Sequence, residues 1–192
     1  MRLVLLGPPG SGKGTQAVRL KEHLQVPHIS TGDLLRAEVA AESKLGIEAR
    51  EVMARGELVS DEILLGMLEN RFSQQDTKGG FILDGYPRNL AQADALTALL
   101  ERIGQPMDAA VQLDVPSELL VERIAGRAKA EGRADDTPES VRTRLKVYSD
   151  QTEPVVDFFR QRGKLSVVDG VGSLDEVFAR IVSALKPVPE VG

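Results

Sequence analysis

The chain has 192 residues, of which 42% are hydrophobic and 28% charged, with a formal net charge of −5; this suits one α/β domain with a substantial core and an ordinary soluble surface. The acidic balance argues against non-specific nucleic-acid binding, which needs surplus cations to neutralise phosphates, and the absence of cysteine excludes disulfides, thiolate nucleophiles, iron–sulfur clusters and thiolate-held zinc. No apolar run approaches the roughly 18–20 residues of a membrane span, and the apolar stretch from Leu3 to Leu6 stops at Gly7-Pro8-Pro9, too early for a signal-peptide core, so a soluble cytoplasmic protein is expected.

The first element is a strand over Arg2–Leu6, apolar throughout and therefore buried on both faces. Gly7-Pro8-Pro9-Gly10-Ser11-Gly12-Lys13-Gly14-Thr15 follows directly, and then a helical pattern through Leu24. Two glycines five apart and then a lysine, set between a strand and a helix, are the pattern of a phosphate-binding loop. Its backbone N–H groups must point inward around a phosphate, a path that side chains would obstruct, and the helix N-terminus and Lys13 add positive charge. Gly14 stands where the general pattern has Ser or Thr, so Thr15 must supply the hydroxyl.

Further short strands are predicted at 27–29, 80–83, 109–113 and 165–168. Between the second and third lies a stretch, 30–79, with room for three helices and breaks at Gly46 and Gly56. It reads as a helical insertion over about 30–59, followed by a helix that Ser60, Asp61 and Glu62 open and whose inner face carries Leu64, Leu68 and Phe72. A helix over 89–103 ends at Gly104. The segment 126–136 is polar and glycine-punctuated and reads as a loop. Thr137-Pro138 starts a helix with Val141, Leu145 and Tyr148 on its core stripe, and Pro154 should kink or restart it. Ser173 and Glu176 form a capping box for the last helix, and the tail 186–192 should be frayed. Strands alternating with helices imply a parallel sheet with right-handed crossovers. The predicted fold is a three-layer α/β/α phosphate-loop domain with a five-stranded parallel sheet.

The chemistry suits phosphoryl transfer to an acceptor that is itself a phosphate. Arginines crowd the motifs, and nothing resembles a nucleophile–base pair; His23 reads as a surface residue and His28 as a packing one. A phosphate acceptor is already anionic near neutral pH, so such a site needs cations that align two repelling anions rather than a base.

Four motifs, in order, resemble the adenylate kinases along nearly the whole chain. They are the phosphate loop ending Lys13-Gly14-Thr15, Ser30-Thr31-Gly32-Asp33-Leu34-Leu35-Arg36, Asp84-Gly85-Tyr86-Pro87-Arg88 with Gln92, and Arg133-x-Asp135-Asp136 with Arg144. The resemblance implies Mg²⁺-dependent, reversible transfer of the terminal phosphoryl group of ATP to AMP, giving two ADP, by a monomer. It implies that Gly10, Ser11, Gly12, Lys13, Gly14 and Thr15 bind ATP with Arg123, Arg127 and Gly172. AMP would be held by Thr31, Arg36, Glu57, Leu58, Val59, Gly85, Tyr86, Pro87 and Arg88, with Gln92 reading the adenine edge. Arg133 and Arg144 would clamp the transferring group beside Lys13 and Arg88. Asp84 and Asp33 would anchor the hydrated Mg²⁺ that arrives with the nucleotide; for Asp33 an ordinary first-turn acid is as good a reading. The segment 126–136 resembles the short-lid form, without zinc, closing on hinges near Gly126 and Gly132. Kinases of UMP or CMP, a small-metabolite kinase with Asp33 as base, and a nucleotide-dependent switch remain as alternatives, the last lacking any Asn-Lys-x-Asp element.

Overall fold

The computed structural model describes residues 1–131 and 137–185, with side chains for 1–126 and 137–185. Five strands, β1 (Arg2–Leu6), β2 (His28–Ser30), β3 (Phe81–Asp84), β4 (Ala109–Asp114) and β5 (Leu165–Asp169), form one parallel sheet in the order β2-β3-β1-β4-β5. β1 matches its predicted bounds; the others lie within a residue or so of theirs.

Alternation along the strands divides the core into two layers. Val4, Leu6, Phe81 and Leu83 face one side, where they meet Leu68 of α4 (Asp61–Phe72), Leu96 and Leu100 of α5 (Leu90–Arg102), and Val155 and Phe159 of α8 (Glu153–Gln161). Leu3, Leu5, Ile82 and Val111 face the other, against Ala17 and Leu20 of α1 (Lys13–Leu24) and Val177 and Ile181 of α9 (Leu174–Leu185). A strand with large apolar residues on both sides can sit only in the middle of such a sandwich, which is why β1 lies at the centre and delivers its following loop there. Among the described residues, no helix is long and apolar enough to cross a membrane.

The insertion begins with α2 (Thr31–Ala40) and α3 (Lys44–Ala54). Gly46 does not break the chain, as its sequence position suggested. It lies in the first turn of α3, its N–H capped by Ser43 Oγ at 3.0 Å, and a Cβ there would stand 2.0 Å from the Glu38 carbonyl oxygen. The glycine permits two helices to touch by backbone. Gly56, with φ of +75°, does follow the end of α3.

Two connections differ from expectation. The helix α6 (Ser117–Glu131) runs on through 126–131, so Gly126 lies within a helix rather than at the start of a loop. Its buried Leu120 and Ile124 fix the inner face, and one exposed glycine, at about 1 kcal/mol relative to alanine, does not stop a helix otherwise rich in good formers. Residues 132–136 and the tail 186–192 lie outside the described residues. After α7 (Pro138–Val147), capped by Thr137 through the Ser140 N–H, the backbone makes one π-helical turn over Tyr148–Thr152 before α8 starts with Pro154 in its first turn. The restart expected of Pro154 takes this form.

Gly46→Ala should force α2 and α3 apart. The expected cost is about 2 kcal/mol, in the range of overpacked cores, and a melting temperature lower by roughly 4–8 °C; thermal unfolding of the variant against the parent checks it.

Candidate active site

A cleft of about 1090 Å³ opens at the carboxyl ends of β1, β2 and β3. The phosphate loop and the segment after β5 line one half; α2, the Gly56–Val59 stretch and the turn after β3 line the other. The topology accounts for its position, since a parallel sheet leaves a crevice where successive connections leave on opposite faces.

The phosphate loop forms as its sequence requires. Gly12 caps α1 with φ of +95°, a conformation open to glycine at no steric cost, and so turns the first N–H groups of α1 toward the cleft. Lys13 Nζ donates to the carbonyl oxygens of Gly7 at 2.8 Å and Pro8 at 3.1 Å. Across the loop, Arg123 donates to Ser11 O at 3.4 Å and Gly170 O at 3.2 Å, linking it to the segment that carries Gly172. Ser11 is buried, and Thr15 is exposed on the first turn of α1.

In the other half, Thr31 is the first residue of α2 and is buried against Gly85, whose Cβ position would stand 2.7 Å from the Thr31 hydroxyl oxygen. Arg36 reaches back over Gly32 and pairs with Asp33 at 2.5 Å. Glu57, Leu58 and Val59 line the wall, as do Tyr86 and Pro87, and Glu57 pairs with Arg55. Arg88 is steadied by a bond from its Nε to Gly85 O at 2.7 Å. Arg144, on α7, also lines the cleft, while Arg142 is exposed.

The electrostatics are those of an anion site. Among the described residues, Lys13, Arg19, Arg36, Arg88, Arg123 and Arg144 line the cleft against Asp33, Glu57 and Asp84, in a chain whose net charge is −5. Burial and the neighbouring Arg144 and Arg36 push the Arg88 pKa down, with Asp84 opposing them. Burial pushes the Asp84 carboxyl up, but His28, Lys13 and Arg88 overcome it and hold Asp84 below the ordinary aspartate value. Crowded guanidinium groups around a single buried carboxylate leave positive potential for a ligand to satisfy.

Gln92 is neither on the cleft wall nor solvated on its helix. It is completely buried; its Oε1 accepts from the Arg88 N–H at 2.7 Å, and its Nε2 donates to Asp61 Oδ1 at 2.6 Å. The side chain of Arg127, and Arg133 with the rest of 132–136, lie outside the described residues.

Three residues at the site escaped the sequence reading. His28 Nε2 lies 3.6 Å from Asp84 Oδ2 in the cleft wall, although a histidine in a short strand reads as packing. Thr152 donates to the Arg88 carbonyl oxygen at 2.6 Å from the π-helical turn, a local geometry with no pattern in the sequence. Asp61 reads as an ordinary first-turn acid and turns out to hold Gln92. His23, by contrast, is exposed and lies edge-on to Phe178.

The sequence model of the adenylate kinase family matches residues 5–164. The chain is 76% identical to the adenylate kinase of Xanthomonas campestris pv. campestris strain B100 over 185 residues, covering 96% of this chain and 99% of that one. It is 70% identical to the adenylate kinase of Stenotrophomonas maltophilia strain K279a, over 97% of this chain and all of the relative. The chain belongs to the adenylate kinase family. It is accordingly a nucleotide-binding phosphotransferase.

The lowered Asp84 pKa carries a signed pH dependence. A depressed folded-state value contributes stability that is present above the unfolded pKa, near 3.9, and is lost as pH falls through the folded value. Asp84→Asn should therefore be less stable than the parent at pH 7, by a difference that shrinks below about pH 4. Denaturant unfolding from pH 7 to pH 3 measures it; a difference that widens on acidification would contradict the lowered pKa.

Proposed function

We propose that the cleft carries out the family's reaction, reversible transfer of the terminal phosphoryl group of ATP to AMP giving two ADP, by direct in-line transfer between two nucleotides held end to end. The observation that carries this is a single continuous cleft joining the phosphate loop to the arginine-lined pocket of the insertion, with Lys13, Arg88 and Arg144 all on its wall.

The donor lies along the first half. Backbone N–H groups from Gly10 to Thr15 and the amino end of α1 cradle its phosphates, and Lys13 exchanges its loop carbonyl partners for phosphate oxygens. Arg123 and Gly172 border the phosphates and base of ATP, with Arg127 joining them. The acceptor lies in the second half, its phosphate between Arg88 and Arg36 beside Thr31 and its base against Glu57, Leu58 and Val59, with Gln92 reading the base edge once the wall over its buried amide opens. Gly85, Tyr86 and Pro87 form the floor. Arg144 and Arg133 clamp the group in transit. Because the acceptor phosphate is its own nucleophile, no side chain need take a proton; the cations cancel repulsion between the two anions and fix their line of approach.

The residues fit a Mg²⁺ carried in by the nucleotide. Asp84 is the buried carboxylate of the cleft, facing the first turn of α1 with its Oδ2 3.6 Å from where a Gly14 Cβ would be. No group of three or more potential ligands among the described residues could cage an ion alone. Asp84 would hold the hydrated ion through water, with Asp33 as a second anchor; when bound, the ion neutralises charge on the phosphate oxygens. We further propose that 126–136 works as a short lid that excludes water during transfer, and that the enzyme acts in the cytoplasm as a monomer, since one chain supplies both halves of the cleft.

Lys13→Met or Arg88→Ala should cost roughly 3–4 kcal/mol of transition-state stabilisation, a hundredfold or more in rate. Steady-state turnover with AMP, UMP, CMP, GMP and no acceptor tests both the cations and the acceptor; strongest turnover with another monophosphate would reject AMP. A methyl at Gly56 would lie 2.5 Å from the Ser140 carbonyl oxygen, so Gly56→Ala should displace the base-pocket segment. The expected result is a KM for AMP raised about tenfold with the KM for ATP little changed.

A further inference from the structure

The Gln92 amide is held at both ends by partners whose hydrogen-bonding sense cannot change. At one end the Arg88 backbone N–H donates to Oε1 at 2.7 Å; at the other Asp61 Oδ1 accepts from Nε2 at 2.6 Å and from Asn89 Nδ2 at 3.3 Å. A backbone N–H is always a donor and a carboxylate is an acceptor. Turning the amide over would set Nε2 against an N–H and Oε1 against the carboxylate, losing two hydrogen bonds and creating two repulsive contacts in a buried place.

We propose that Asp61 is a positioning residue that sets the acceptor-base preference by locking the Gln92 amide in one orientation. This rests on the reading of Gln92 as the residue that meets the base edge. Each amide end keeps bonding capacity beyond the lock, a lone pair on Oε1 and an N–H on Nε2. Adenine presents an N–H donor at its 6-position beside an acceptor ring nitrogen; hypoxanthine, on the same sugar and phosphate, presents the reverse order, an oxygen beside a ring N–H. A freely turning amide serves both. A locked one serves one and meets the other donor-to-donor and acceptor-to-acceptor. Asp61 opens α4 directly after the Glu57–Val59 wall, so the carboxylate ties the base-pocket segment of the insertion to α5 of the core.

The test compares kcat/KM for AMP and for IMP in the parent, Asp61→Asn, Asp61→Ala and Gln92→Ala, with melting temperatures alongside. Asn at 61 can offer its own N–H to a reversed Gln92, so Asp61→Asn should lower the AMP-to-IMP ratio about tenfold, the worth of one charge-assisted hydrogen bond. Asp61→Ala, which removes the carboxylate end of the lock and leaves only the Arg88 N–H to orient the amide, should lower it as well. Asp61 is exposed, and the alanine variant keeps the test open should the asparagine variant fold poorly. If Gln92→Ala lowers the ratio while both Asp61 variants leave it at the parent value, or reduce AMP and IMP use equally, the lock is overturned and the reading of Gln92 stands. If Gln92→Ala leaves the ratio unchanged, Gln92 does not read the base and the inference falls with it.

Discussion

A triphosphate and a monophosphate brought end to end repel one another, and a site that joins them must offset that repulsion with fixed positive charge before any chemistry is possible. Water does this poorly because its dipoles must reorganise. In the proposed arrangement the offset is built into the fold: Lys13 comes from the loop after the central strand, Arg88 from the turn after its neighbour, and Arg36 and Arg144 from helices that also line the cleft. A catalyst of this kind is a device for holding charges still. By the same physics the reaction requires no acid–base pair, since a phosphate acceptor brings its own nucleophilic oxygen.

Concentrating guanidinium groups is costly in an empty cleft, and the secondary contacts of the site reduce that cost. Asp84 is buried among His28, Lys13 and Arg88 and stays ionised because they surround it. Arg88 is anchored by Gly85 O through its side chain, and its backbone is held by Gln92 and Thr152. Arg36 lies against Asp33, and Lys13 against the carbonyl oxygens of its own loop. These contacts store the cations in position by bonds that an incoming phosphate can replace, so binding need not pay to order free side chains.

The sequence carried the framework because the framework depends on local patterns. An apolar run with no alternation, as in Arg2–Leu6, can only be an interior strand; Thr137-Pro138 and the Ser173–Glu176 box cap their helices through the bonds their spacing implies. What it did not carry depends on contacts between distant segments. Gly46 resembles a helix breaker until Glu38 is seen against it, and Gly126 a hinge until α6 is seen to run on to Glu131. The site residues followed the same division. Among the described residues the glycines and cations of the motifs line the cleft, while Asp61, His28 and Thr152, and the Asp61 end of the Gln92 amide, owe their roles to partners far along the chain, which no spacing reveals.

The central claim is that one cleft seats donor and acceptor simultaneously. A mimic in which two adenosines are joined by five phosphates tests it most directly, by calorimetry together with the structure of the complex. The account predicts one molecule per chain, one adenosine against the Gly172 segment, the other against Leu58 and Val59, and the phosphate bridge running past Lys13 and Arg88. A mimic that occupies one half only, or two molecules bound to separate halves of a single chain, would contradict it.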